Sequence, residues 1–96
     1  MRPSQLLAAH RNRVLALAAA RGASHVRVFG SMAKGLDHEH SDLDLLVDLP
    51  AGASLLAVVG LQQALSDALG IEVDLCTERE LHPELRQRIL AEARPL

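Results

Sequence analysis

Gly30-Ser31, ten intervening residues, then Asp42-Leu43-Asp44: the reading of this stretch decides how the chain folds. A short alternating run precedes it, with Val26 and Val28 set against His25, Arg27 and Phe29, which predicts a strand over residues 25–29 that stops at Gly30. After residues 32–41 the chain returns as a second predicted strand, residues 42–49, bounded by Pro50 and Gly52. Asp42 and Asp44 stand two positions apart on that strand, so their side chains project from one face and can converge on one ion. Leu43, Leu45, Leu46 and Val47 around them demand burial, and unpaired carboxylates at the start of a buried strand are costly without a cation.

Working outward, Ser4 is the expected cap of a first helix over residues 5–21, with Leu7, Val14 and Leu17 or Ala18 on one face and Gly22 as its stop. Residues 31–35 allow no more than a turn or two of helix, and residues 36–41 read as a polar loop carrying Asp37, His38, Glu39 and His40. Ser54 is placed to cap a second long helix that reaches Leu69 and ends at Gly70. A third strand follows, where Ile71, Val73 and Leu75 alternate with Glu72, Asp74 and Cys76. Thr77 with Glu80 three residues on reads as a capping box, and Pro83 restarts the last helix, whose Leu85, Ile89 and Leu90 stripe is assigned to the core. The expected class is α+β, a small mixed sheet of about three strands covered by helices.

Composition bounds the function. At 96 residues, 49% hydrophobic and 23% charged, the chain reads as one folded domain over residues 1–96. Phe29 is the only aromatic residue and the formal net charge is −2, so the chain has neither a stacking platform nor a basic stripe, which argues against nucleic acid as a main ligand. Cys76 stands alone, which excludes a disulfide framework or a cysteine-rich zinc site and fits a reducing cytoplasm. His10, Arg11 and Arg13 interrupt the apolar N-terminal run, which fits neither a signal-peptide core nor a membrane span.

The carboxylates point to phosphorus chemistry. Ligands that are all oxygen favour Mg²⁺ over zinc. Asp74 interrupts the third strand where a neighbouring strand can bring it beside the first pair. Three carboxylates on one face can hold two ions about 3.5–4 Å apart, the arrangement that supports in-line displacement at phosphorus. The segment Gly30-Ser31-Met32-Ala33-Lys34-Gly35 offers a cradle for a triphosphate: Gly30 lets the backbone approach, Ser31 supplies a hydroxyl and Lys34 a positive charge. Each feature alone has an ordinary explanation, a turn for Gly30-Ser31, a solvated strand edge for the aspartates and a surface lysine for Lys34. Their convergence carries the reading. His38 and His40 are assigned to a solvated loop. Asp48 lies ~13 Å along the strand from Asp44 and is read as its end, and Cys76 as a small buried residue.

The glycine-serine pair, the ten-residue spacing and the aspartate-x-aspartate resemble the signature of the polymerase-β-like nucleotidyltransferase superfamily. The whole chain is similar to the minimal nucleotidyltransferases paired with HEPN-domain proteins in prokaryotic toxin–antitoxin modules. That resemblance implies the nucleotidyltransferase fold, ATP as donor and Mg²⁺ as cofactor, with two ions. It also implies adenylylation of a tyrosine on a HEPN ribonuclease toxin, this chain being the antitoxin. By motif match Gly30, Ser31 and Lys34 bind phosphates, Asp42 and Asp44 bind metal, and Asp74 is the third carboxylate and a candidate base. Lys34 stands where related motifs often carry arginine, which keeps the charge and loses the bidentate grip. Two alternatives stay open: an antitoxin that neutralises its partner by complex formation alone, and transfer to a small molecule. A homo-oligomer is compatible with either.

Overall fold

In a computed structural model, which describes residues 2–30, 33, 35 and 42–96, the alternating apolar positions of three strands determine which face of the sheet is covered. Val26 and Val28 of β1 (Ser24–Phe29), Leu43, Leu45 and Val47 of β2 (Leu43–Asp48), and Val73 and Leu75 of β3 (Val73–Cys76) all join one core. Helices cover that face. Leu7 of α1 (Pro3–Ala9), Val14 and Ala18 of α2 (Arg11–Ala20), and Val58, Leu61, Leu65 and Leu69 of α3 (Leu55–Leu69) complete the cluster. The core is aliphatic throughout, as the composition requires.

Strand order is β3-β2-β1-β4, with β2 antiparallel to β1 and parallel to β3 across the α3 connection. The fourth strand, β4 (Arg94–Pro95), pairs with β1 and was not foreseen. Two residues carry no readable periodicity, and β4 is fixed by long-range bonds: Leu96 N–H donates to the Val26 carbonyl, and Arg11 reaches the Leu96 carbonyl with Nε at 3.1 Å and Nη2 at 2.9 Å.

The first helix differs from expectation. It starts at Pro3, with the Arg2 amide donating to Gln5 Oε1 at 2.9 Å, and bends at His10, where φ is −117°. The helical bonding runs through the bend, from His10 N–H to Leu6 O and from Val14 N–H to His10 O, so no glycine or proline marks it in the sequence. The second long helix has the expected ends, with Gly70, at φ +70°, closing it in the left-handed conformation, but Ser54 stands at its N-terminus without the expected side-chain capping bond. Thr77 N–H donates to Glu80 Oε1 at 3.0 Å, closing the expected box around a 3₁₀ turn, Glu78–Glu80. In α4 (Pro83–Glu92) the expected core stripe is corrected: no residue is buried and Leu85 is 48% exposed, because the helix lies away from the apolar core. Among the described residues no helix is long and apolar enough to cross a membrane.

Among the described residues, one charged side chain is buried. The Arg27 side chain, 7% exposed, donates from Nη2 to Asp48 at 2.8 Å, from Nη1 to Glu78 at 3.2 Å and from Nε to the His25 carbonyl at 3.2 Å. Arg27→Ala is expected to lower unfolding free energy by about 2–3 kcal/mol in urea melts. Glu78→Gln should cost less than about 1 kcal/mol, because its carboxylate reaches solvent.

Candidate active site

The register that buries leucines on one face of the sheet aligns aspartates on the other. Leu43 opposes Val73 and Leu45 opposes Leu75 in the core, which sets Asp44 directly opposite Asp74 on the adjoining parallel strand. A shift of one residue would turn Asp74 into the core and Val73 out of it, so apolar burial enforces the carboxylate pairing. On the other side Phe29 opposes Asp44 in the antiparallel pair with β1. A row Phe29, Asp44, Asp74 therefore crosses the sheet on the face turned away from α2 and α3. Asp42, exposed, sits just ahead of β2.

Asp44 is half-buried, and its carboxyl is pushed up to about 6, first by burial and then by the charges of Asp74 and Asp42. Asp74 keeps contact with solvent, so the desolvation cost falls on Asp44. This donor set is oxygen-only and like-charged, and it suits a hard divalent cation, which would relieve the repulsion. Among the described residues no three acidic, histidine or cysteine side chains close into a preformed metal cluster. The aspartates stand instead as an open row.

Gly30 ends β1 next to this row. Its φ is +75°, and a Cβ built there would collide with Asp44 Oδ2. Glycine is thus required twice, for its backbone angle and for the room it leaves the carboxylate. The sequence suggested a close approach of phosphate to this position; the close approach seen here is that of Asp44. Ser31 and Lys34 lie outside the described residues, as do His38, Glu39, His40 and much of the expected short helix.

The remaining polar groups sort clearly. Asp48 does end β2, and it also pairs with Arg27 and, at 3.2 Å, with His25. Cys76 was read as buried but is only half-buried; it ends the edge strand β3, opposite the buried Leu46. Burial first, then the charges of Glu80, Asp44 and Asp74, push its thiol up to about 11, so it is a poor nucleophile at neutral pH. A cavity of about 230 Å³ lined by Leu49, Pro50, Leu55, Val58, Thr77 and Arg79 lies at the other end of β2 from Asp42. Sequence reasoning missed Arg27 as an ion-pair hub, and it missed Gln62 and Ser66, whose side chains accept from β3 amides.

The sequence matches the nucleotidyltransferase domain family over residues 10–96. A Methanocaldococcus jannaschii chain assigned as a protein adenylyltransferase is 39% identical over 86% of this chain and 89% of its own length. The protein adenylyltransferase MntA of Thermococcus cleftensis is 37% identical over 74% of this chain and 72% of its own. Among solved structures, one assigned as a minimal nucleotidyltransferase superposes with a TM-score of 0.85 at 49% identity, covering 97% of this chain and 95% of that one. A toxin–antitoxin structure with AMP-PNP gives a TM-score of 0.76 at 27% identity, covering 88% and 69%. A Shewanella oneidensis complex of tri-AMPylated HEPN toxin with MNT antitoxin shares the fold, with a TM-score of 0.70 at 22% identity, covering 92% and 69%.

Two outcomes follow from the aspartate row. The folded state holds the Asp44 proton more tightly than the ordinary value of 3.8, so the stability this contributes is full below that value and lost as pH rises through about 6. In chelator at pH 7.5, Asp44→Asn should therefore be more stable than the parent by about 1 kcal/mol, a figure discounted for partial exposure, with the gain vanishing near pH 4. Thermal melts across pH check this. Gly30→Ala should displace the Asp44 carboxylate and cost at least about 1 kcal/mol, read in the same melts.

Proposed function

The chain belongs to the nucleotidyltransferase domain family, and from that premise we propose that it is an antitoxin that transfers AMP from ATP to a tyrosine of a HEPN-domain ribonuclease toxin in the cytoplasm. The observation that carries the reading is the in-register pair Asp44 and Asp74 beside Gly30, a row of oxygen donors at the open end of β2. Support also comes from relatives named protein adenylyltransferases and from the toxin–antitoxin neighbour with AMP-PNP.

In this reading Asp42, Asp44 and Asp74 hold Mg²⁺, as two ions. Bound there, Mg²⁺ supplies positive charge that neutralises the triphosphate and the oxygens entering and leaving phosphorus. The residues of the chain do the rest. Gly30 keeps space for the Asp44 carboxylate, while the Ser31 hydroxyl and the Lys34 ammonium orient the phosphate tail. Asp74, exposed at the sheet edge, meets the acceptor hydroxyl and takes its proton as the oxygen bonds to the α-phosphorus and pyrophosphate leaves. Partner binding completes the acceptor side.

The test is the intact mass of the HEPN-domain protein of the same genome after incubation with this chain, ATP and Mg²⁺. A gain of whole adenylyl units on tyrosine is expected. Asp42→Asn with Asp44→Asn should reduce the rate by at least about 100-fold. Mg²⁺ should raise the melting temperature of the parent and not of that variant. No mass gain in a complex that still forms would favour neutralisation by binding alone.

A further inference from the structure

The edge strand that carries Asp74 is held from outside the sheet. β3 is four residues long and, among the described residues, has only β2 beside it. In a parallel pair alternate residues turn their amides away from the neighbour, and here the amides of Val73 and Leu75 leave the ladder for α3. Val73 N–H donates to Ser66 Oγ at 3.1 Å, and Leu75 N–H donates to Gln62 Oε1 at 2.9 Å. These two amides flank Asp74. Their acceptors lie four residues apart on α3, one turn above the other, beside the buried Leu61, Leu65 and Leu69 that pack in the same core as Val73 and Leu75.

Such a clasp answers a specific difficulty. Like charges directly opposite one another push adjoining strands apart, and Asp44 and Asp74 are directly opposite. A short edge strand with a ladder on one side would yield to that push by fraying or by slipping, and a slip of one residue sends Asp74 to the wrong face. Two side-chain acceptors from α3 pin the strand at the residues on either side of the carboxylate.

We propose that Gln62 and Ser66 are positioning residues for nucleotidyl transfer, holding Asp74 in register with Asp44 and acting only through it. The inference rests on the role given to Asp74 above. Ser66→Ala, Gln62→Met and their combination remove the acceptors, while Ser66→Thr and Gln62→Glu keep an oxygen at each place. Hydrogen exchange should quicken at Val73 and Leu75 by about tenfold or more in the combined variant, with Leu45 and Val47 unchanged. With ATP, Mg²⁺ and the HEPN-domain protein, kcat should fall about tenfold while KM for ATP stays within about twofold, and the oxygen-keeping variants should restore it. On an Asp74→Asn background the same substitutions should cause no further fall in kcat. If the combined variant does not fold, Ser66→Ala alone carries the comparison.

An equal fall on both backgrounds overturns the proposal, as does an unchanged kcat despite fast exchange at Val73 and Leu75. Asp74→Asn that transfers at the parent rate removes Asp74 from the reaction, and with it the reading on which the proposal stands. A loss in Asp74→Asn with additive effects at Gln62 and Ser66 overturns the proposal alone.

Discussion

The pairing of Leu43 with Val73 and Leu45 with Leu75 is the constraint on which the rest depends. These four side chains are buried to 5% exposure or less, in a core shared with α2 and α3. Burying each contributes on the order of 1.5–3 kcal/mol, and a one-residue slip would forfeit several of these contributions at once. Because side chains alternate along a strand, the same register has a second effect: it brings Asp44 and Asp74 face to face. Hydrophobic burial on one side of the sheet thus supplies the force that holds two like charges together on the other.

One face of the sheet treats charge in two ways, for Arg27 lies opposite Leu46 on the face that carries Asp44. Arg27 is buried but fully engaged, with two carboxylates and a carbonyl around its guanidinium, so its burial is compensated. Asp44 is half-buried with like charges for neighbours and a carboxyl held up near 6. The contrast separates a compensated charge from an uncompensated one. The fold carries a local electrostatic cost at the row of aspartates, and Gly30 adds to the specialisation by giving up a side chain where one would collide with Asp44. Sites that run against stability in this way are where ligand charge has most to offer.

Much of this was legible in the sequence because strong local rules agree. Alternation placed β1 and β3, Pro50 and Gly52 bounded β2, glycine placed the end of α3, and the break in β3 at Asp74 put that carboxylate on a common face with Asp44. What escaped notice was non-local. The bend at His10 interrupts no helical hydrogen bond at that residue, so it leaves no signature in composition. β4 is held by contacts that join Leu96 to Val26 and Arg11. Leu85 shows a helical apolar period yet stays exposed, since periodicity reports an amphipathic face and not what covers it. Gln62 and Ser66 read as polar positions on a helix surface, and only the placement of β3 beside them gives their oxygens amides to accept.

The central claim is that Asp44 and Asp74 form one electrostatic unit across two parallel strands. The most direct measurement is the titration of the Asp44 carboxyl carbon by NMR, in the parent and in Asp74→Asn, without divalent ions. The account predicts a midpoint near 6 in the parent. In Asp74→Asn the midpoint should move toward the ordinary aspartate value without reaching it, because burial, the larger cause, remains. A midpoint at the ordinary value in the parent, or one indifferent to the loss of the Asp74 charge, would contradict it.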